Sequence, residues 1–262
     1  MTAVTPHTSR EQATVRRRFT PALSRTPAWS LIAAALLLGS ALLQLVASLQ
    51  RWVEFRNSWT REDRYVEDHL FDYSYPSDPW ENLGSTAQFF GAGYVLLALG
   101  VMAMMRAVAM RSSVRTVAGS VSAWTLASVV ALAFGIDGAH ALVSGILGIP
   151  TFVQYFLFLT SLLGIASSVC LLVLAVLWAR TAWASSLACL LLMGATIPGY
   201  LVAAFVIAPE VAGYQSYDST PWTETIVAAW PAAAAVALLV GAGVRAAIAA
   251  GRGRAIRESL EG

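Results

Sequence analysis

Six apolar runs of roughly 20 residues each, the length that crosses a ~30 Å hydrocarbon core, divide this chain. They are Ala28 to Gln50, Gly84 to Met105, Val117 to Ala139, Phe152 to Trp178, Trp183 to Ala208 and Thr223 to Val244. In lipid every backbone N–H and C=O must be satisfied within the protein, so apolar runs of this length predict helices. The expected fold class is all-α, a polytopic transmembrane bundle of six spans. The expected layout is one transmembrane domain over 28–246 with an outer loop over 51–83, set between basic tails over 1–27 and 247–262 that read as disordered.

Charge orients the bundle. With loops assigned to alternate sides, thirteen arginines and three glutamates share the face that holds both termini, while four arginines and eleven carboxylates share the other. By the positive-inside rule both termini are cytoplasmic. Trp29, Trp124, Trp178 and Trp183 lie near the inner ends of the runs and Trp52, Trp80 and Trp222 near the outer ones, as interfacial aromatic belts would. The 17 basic residues are all arginine, which rules out a Schiff-base lysine. With abundant alanine and glycine it also suggests a GC-rich bacterial genome and hence a bacterial plasma membrane. Opposed charged faces with a net charge of only +2 do not fit a nucleic-acid-binding protein.

Arg16-Arg17-Arg18-Phe19 resembles a twin-arginine export signal. The apolar run behind it is longer than a signal core, and Val46-Ala47-Ser48-Leu49 is not a clean cleavage site, so a retained first helix is expected. The tail would then rest on anionic lipid at the cytoplasmic face, with ~1 kcal/mol of attraction per arginine near the surface.

The outer loop carries Glu67, Asp68, His69 and Asp72, joined by Asp78 and Glu81. Hard cations need six or more ordered oxygens, and no spacing here follows a recognised calcium loop. The loop reads first as solvated and salt-bridged, and second as contacting an ion or, given its aromatic residues, a protein partner. Ser74-Tyr75-Pro76-Ser77-Asp78-Pro79-Trp80 is echoed by Ser216-Tyr217-Asp218-Ser219-Thr220-Pro221-Trp222. Each copy looks like a re-entry device in which Asp78 or Thr220 caps a helix, proline takes its first turn and tryptophan anchors it. Pro150 would open the fourth helix likewise, and the equal spacing of Pro79, Pro150 and Pro221 raises a three-fold hairpin duplication.

Asp137 and His140, near the outer end of the third helix, form the only ionisable pair near lipid, and their spacing of three puts them on one helical face. The stretch from Val117 to Gly148 exceeds a single crossing, so a break at Gly135 or Gly138 is expected. A carboxylate at membrane depth is a functional candidate by default. Here it divides between structural duty (hydration, capping, or pairing with His140 or an outer arginine) and a proton site, cation site or acid–base pair. Pro198-Gly199-Tyr200 and Trp230-Pro231 predict kinks that free carbonyls. If these kinks share an interior with Asp137, they outline a shallow pocket lined by Asp137, His140, Tyr200, Glu224 and Trp230. The alternative is packing alone, aided by Gly91, Gly93, Gly164, Gly194, Gly241 and Gly243.

Function is narrowed mainly by exclusion. One membrane histidine cannot supply a bis-histidine haem, Cys170 and Cys189 are too few for a thiolate centre, no phosphate loop occurs, and no cofactor is implied. The leading expectation is a non-enzymatic membrane subunit, permease-like or accessory, partnered by a separate ATPase or another membrane protein. The alternatives are a membrane enzyme acting on a lipid-borne substrate through Asp137 and His140, and a small-solute transporter.

Overall fold

The computed structural model describes residues 25–56, 70–111, 117–214 and 220–261, and every regular element among them is helical. Helix α1 (Arg25–Leu49) runs into a π turn (Gln50–Glu54), followed by α2 (Thr86–Ala109) and α3 (Val117–Leu147). A 3-10 turn (Phe152–Phe156) leads into α4 (Leu157–Trp178). Helix α5 (Trp183–Leu192) ends in a 3-10 turn (Met193–Ala195); α6 (Ile197–Val202), a π turn (Ala203–Ile207) and α7 (Ala208–Ala212) follow, and α8 (Thr223–Glu261) closes the chain. Five helices are long and apolar enough to cross a membrane, and the bent pair Trp183–Ala195 and Ile197–Ala212 makes up to six.

Each span packs against its sequence neighbours, α1 on α2, α2 on α3, α3 on α4, α4 on α5 and α5 on α8, and α8 returns to α1. The result is a closed ring. Leu37 of α1, Leu97 and Met104 of α2, Leu171 and Leu174 of α4, Leu192 of α5 and Leu238 of α8 are fully buried in its core. Outward faces stay apolar, with Leu132, Phe158, Val176 and Val206 all exposed. Such a surface is stable in hydrocarbon and would aggregate in water.

Helix α3 does not break at Gly135 or Gly138. It is continuous over 31 residues, about 46 Å at 1.5 Å per residue, and so outreaches a ~30 Å hydrocarbon core. Gly138 serves close approach instead: a Cβ there would sit 2.8 Å from the Gly91 carbonyl oxygen and the Val95 nitrogen, and one on Gly91 would sit 2.3 Å from the Leu142 nitrogen. Helices α2 and α3 thus meet backbone to backbone, which small residues permit. Gly243, expected to do the same, meets nothing within 4 Å.

Other expectations are corrected at the chain's ends and loops. The segment 247–262 is no disordered tail, since α8 continues through Glu261. Asp78 caps no helix, because α2 starts at Thr86, well past Trp80, whereas α8 begins directly after Trp222. The two echoes therefore stand at different distances from the helices they precede, and residues 216–219 of the second lie outside the described residues. Trp178 is fully buried, and Trp52 and Trp80 nearly so. Trp52 and Trp80 donate to Glu224 and to the Asp72 carbonyl, so these indoles are spent on the interior rather than on an interfacial belt.

Candidate functional site

The projecting end of α3 explains how the first loop folds. His140 is buried, with Nε2 2.9 Å from the Pro76 carbonyl and Nδ1 2.6 Å from Thr151 Oγ1. A carbonyl only accepts, so Nε2 carries the proton and Nδ1 accepts from the threonine hydroxyl. Tyr75 lies against the imidazole at 4.8 Å and donates to the Val153 carbonyl. Asp78 and Gln154 exchange two hydrogen bonds, and the Gln88 amide donates to the Gly145 carbonyl. Residues 70–85 are thereby pinned across the ends of α2, α3 and α4. Burial, with Asp137 nearby, raises the Tyr75 phenol above its ordinary range against the opposing Thr160 hydrogen bond.

Beneath this roof the ring holds a partly open cavity of about 180 Å³. Its walls are Phe90 and Tyr94 of α2, Phe134 and Asp137 of α3, Thr160 and Ser167 of α4, Thr196 and Tyr200 at the bend between α5 and α6, and Glu224 of α8. Tyr73, Phe90, Tyr94 and Phe134 form a chain of ring contacts with centroids 4.3–5.6 Å apart. Asp137 lines this partly aromatic space and has no hydrogen bond or ion pair among the described residues.

The helix pair Trp183–Ala195 and Ile197–Ala212 bends by 63° where it meets the cavity. Thr196 is extended there, and Pro198 brings no N–H to continue the ladder. The freed groups find partners in the wall: Tyr94 Oη donates to the Ala195 carbonyl, Thr196 Oγ1 to the Met193 carbonyl, and Ser168 Oγ to Thr196 Oγ1. Irregular backbone at membrane depth is tolerated where protein or a cavity satisfies it, and both are present here.

Beside the cavity, Arg51 and Glu224 form an ion pair at 3.0 Å with side chains 1% and 3% exposed. The second Glu224 oxygen accepts from Trp52 Nε1 at 2.7 Å, and the guanidinium lies over the rings of Trp52 and Tyr73. This cluster ties the end of α1 to the start of α8. Burial, reinforced by the Glu224 charge and opposed by Arg51, holds the Tyr73 phenol well above its usual range.

Of the five pocket residues expected from sequence, Asp137, Tyr200 and Glu224 line the cavity. His140 does not, because its ring is turned to the loop, and it makes no bond to Asp137. Trp230 packs behind the bend, where a Cβ on Gly194 would fall 2.3 Å from its ring. Helix α8 passes through Pro231 without interruption. Of the acidic candidates, Glu67, Asp68 and His69 lie outside the described residues, while Asp72 accepts from the Ser74 amide and hydroxyl. No group of three potential metal ligands occurs among the described residues. Arg51, Tyr94 and Thr196 were not anticipated. Arg51 has a weak sequence signal, a cation at the end of one apolar run facing the same side as a carboxylate at the start of another. No family model matches the chain, and neither a curated protein nor a solved structure shows significant similarity to it.

Proposed function

We propose that this chain is a permease-like, non-enzymatic protein of the bacterial plasma membrane, with six spans and both termini cytoplasmic, whose outer-half cavity takes up a small organic cation. The observation that carries this reading is the unpartnered Asp137 carboxylate lining a partly aromatic cavity at the break in the fifth span. A carboxylate supplies the counter-charge, and rings such as Phe90, Tyr94 and Phe134 attract an ammonium through their π faces. Discontinuous helices are a recurrent way of building midplane solute sites in transporters. The cavity, at about 180 Å³, exceeds the ~150 Å³ that accommodates benzene in an engineered apolar core, so the ligand is small. The topology is supported by Arg106, Arg111, Arg180 and Arg245 at one end of the bundle and Glu54, Asp72, Glu81 and Glu210 at the other. The enzyme alternative required Asp137 and His140 to act together, and the imidazole is occupied elsewhere.

The test is calorimetric titration of the purified full chain in maltoside detergent with choline and with 3,3-dimethylbutanol, its uncharged isostere. Choline is expected to bind at least tenfold more tightly, and Asp137→Asn is expected to erase the difference. Equal affinity for the two probes, or binding of neither, would refute the reading.

A further inference from the structure

The opposite end of the bundle holds a second feature that the cavity does not use. Arg111 lies just past α2, and its Nη2 donates to Ser30 Oγ of α1 at 2.6 Å. Its Nε and Nη1 are buried without a partner among the described residues, and so is Nη2 of Arg245 on α8. The one ion pair among the described residues is that of Arg51 and Glu224, at the other end. The two guanidiniums thus hold three buried donor nitrogens that meet no acceptor among the described residues, the Ser30 hydroxyl being taken by Arg111 Nη2. The crowding is felt: burial, and after it the charge of Arg245, lowers the Arg111 guanidinium to about 10. Gly241, one turn before Arg245, is pressed onto Ala184, and a Cβ there would lie 3.9 Å from Arg245 Nη1. The neighbouring Ser185 hydroxyl is also buried without a partner among the described residues.

Buried donors without acceptors are costly, and paired like charges more so. An oxyanion relieves both at once, and planar guanidinium forks match phosphate oxygens in particular. We propose that Arg111 and Arg245, with α1, α2 and α8 as the frame, form a phosphate-binding site at the arginine-rich end of the bundle. The phosphate is either inorganic or the headgroup of an anionic phospholipid seated between helix ends, as basic inter-helix pockets do.

Native mass spectrometry and thermal unfolding of the full chain in maltoside, a detergent without phosphate, distinguish the two sources. One arm adds sodium phosphate against sodium chloride at matched ionic strength, and the other adds phosphatidylglycerol against phosphatidylcholine. Stabilisation by phosphate over chloride assigns a soluble ligand. Retention of phosphatidylglycerol with no response to phosphate assigns the headgroup. In either case Arg111→Gln and Arg245→Gln are expected to weaken binding about tenfold or more, the scale of a lost charge-assisted hydrogen bond. Arg252→Gln, at an exposed position farther along α8, is expected to leave binding unchanged. No response in either arm of the wild-type titration, which needs no variant to fold, would overturn the site. An equal loss in Arg252→Gln would also overturn it, by assigning the binding to diffuse positive charge.

Discussion

Replacing Arg51 by methionine removes the cation that Glu224 faces and strands a carboxylate that is 3% exposed between α1 and α8. At the observed 3.0 Å the attraction is about 5–6 kcal/mol for an effective dielectric of about 20. Much of that is offset by the cost of withdrawing both charges from water, so the pair's net contribution is small. Breaking it is different. Removal of one member leaves the other buried and uncompensated, and the expected loss is about 3–5 kcal/mol. Glu224→Gln keeps an acceptor for Trp52 Nε1 and strands Arg51, whose charge the rings of Trp52 and Tyr73 partly stabilise. Its expected loss sits at the lower end of the same range. The double variant Arg51→Met with Glu224→Gln contains neither charge and should recover at least about 2 kcal/mol relative to the sum of the singles. Equilibrium unfolding of the purified chain in maltoside, followed by tryptophan fluorescence, reads all three. Single losses below about 1 kcal/mol would mean that water reaches the pair, and losses adding within about 0.5 kcal/mol would mean that the two residues do not interact.

The same unfolding measurement separates two glycines. Gly138→Ala forces a Cβ to 2.8 Å from the Gly91 oxygen and is expected to cost about 1–3 kcal/mol by overpacking. Gly243→Ala enters open space and should be neutral, or stabilising by up to about 1 kcal/mol; a loss at Gly243 equal to that at Gly138 would contradict the close α2 and α3 contact. His140→Ala should lower stability by about 1–3 kcal/mol and reduce membrane abundance, since it leaves the Pro76 carbonyl and Thr151 hydroxyl without their partner. Normal abundance with loss of a cellular phenotype would instead give His140 a chemical role. Tyr73 has its phenol pKa raised on folding, so its contribution is fully present below the free-tyrosine value of about 10 and is lost as pH rises towards the folded value. Stability should therefore be flat from about pH 7 to 9 and fall above about pH 10, and Tyr73→Phe should blunt that fall. An identical alkaline profile in the variant would place Tyr73 in water.

Much of the fold was legible because hydropathy reports the transfer cost of each residue taken alone, and that cost decides where a helix can lie in lipid. The fourth run begins where the structure places it, with Phe152 opening the turn before α4. What escaped is what depends on a neighbour. Arg51 was assigned to the loop because its charge ends an apolar run, yet it is buried by a carboxylate 173 residues away. Four arginines and eleven carboxylates share that side of the sequence, and nothing in one sequence selects this pairing. Gly138 was read for its backbone freedom, whereas its role is the missing side chain that admits Gly91. Gly194 and Trp230 show the same dependence, since the sequence places the indole in the pocket and the structure packs it into the gap left by the glycine.

The candidate site was legible to the extent that it violates the rules that build the rest. A carboxylate inside an apolar run and a proline inside a span each cost stability where they stand, so each stands out against a background set by hydrophobicity. Such exceptions mark where to look and not what is found, because His140 is an exception of the same kind and is fully engaged by the loop. The deciding quantity is satisfaction. His140 has both nitrogens occupied, the carbonyls of Ala195 and Met193 at the bend are bonded by Tyr94 and by the Thr196 hydroxyl, and Glu224 has both oxygens in use. Asp137 alone among these polar groups meets an open space with no partner among the described residues. Polar groups that complete one another hold the structure together, and Asp137, which lines the cavity beside aromatic rings, is where a ligand would supply the missing contact.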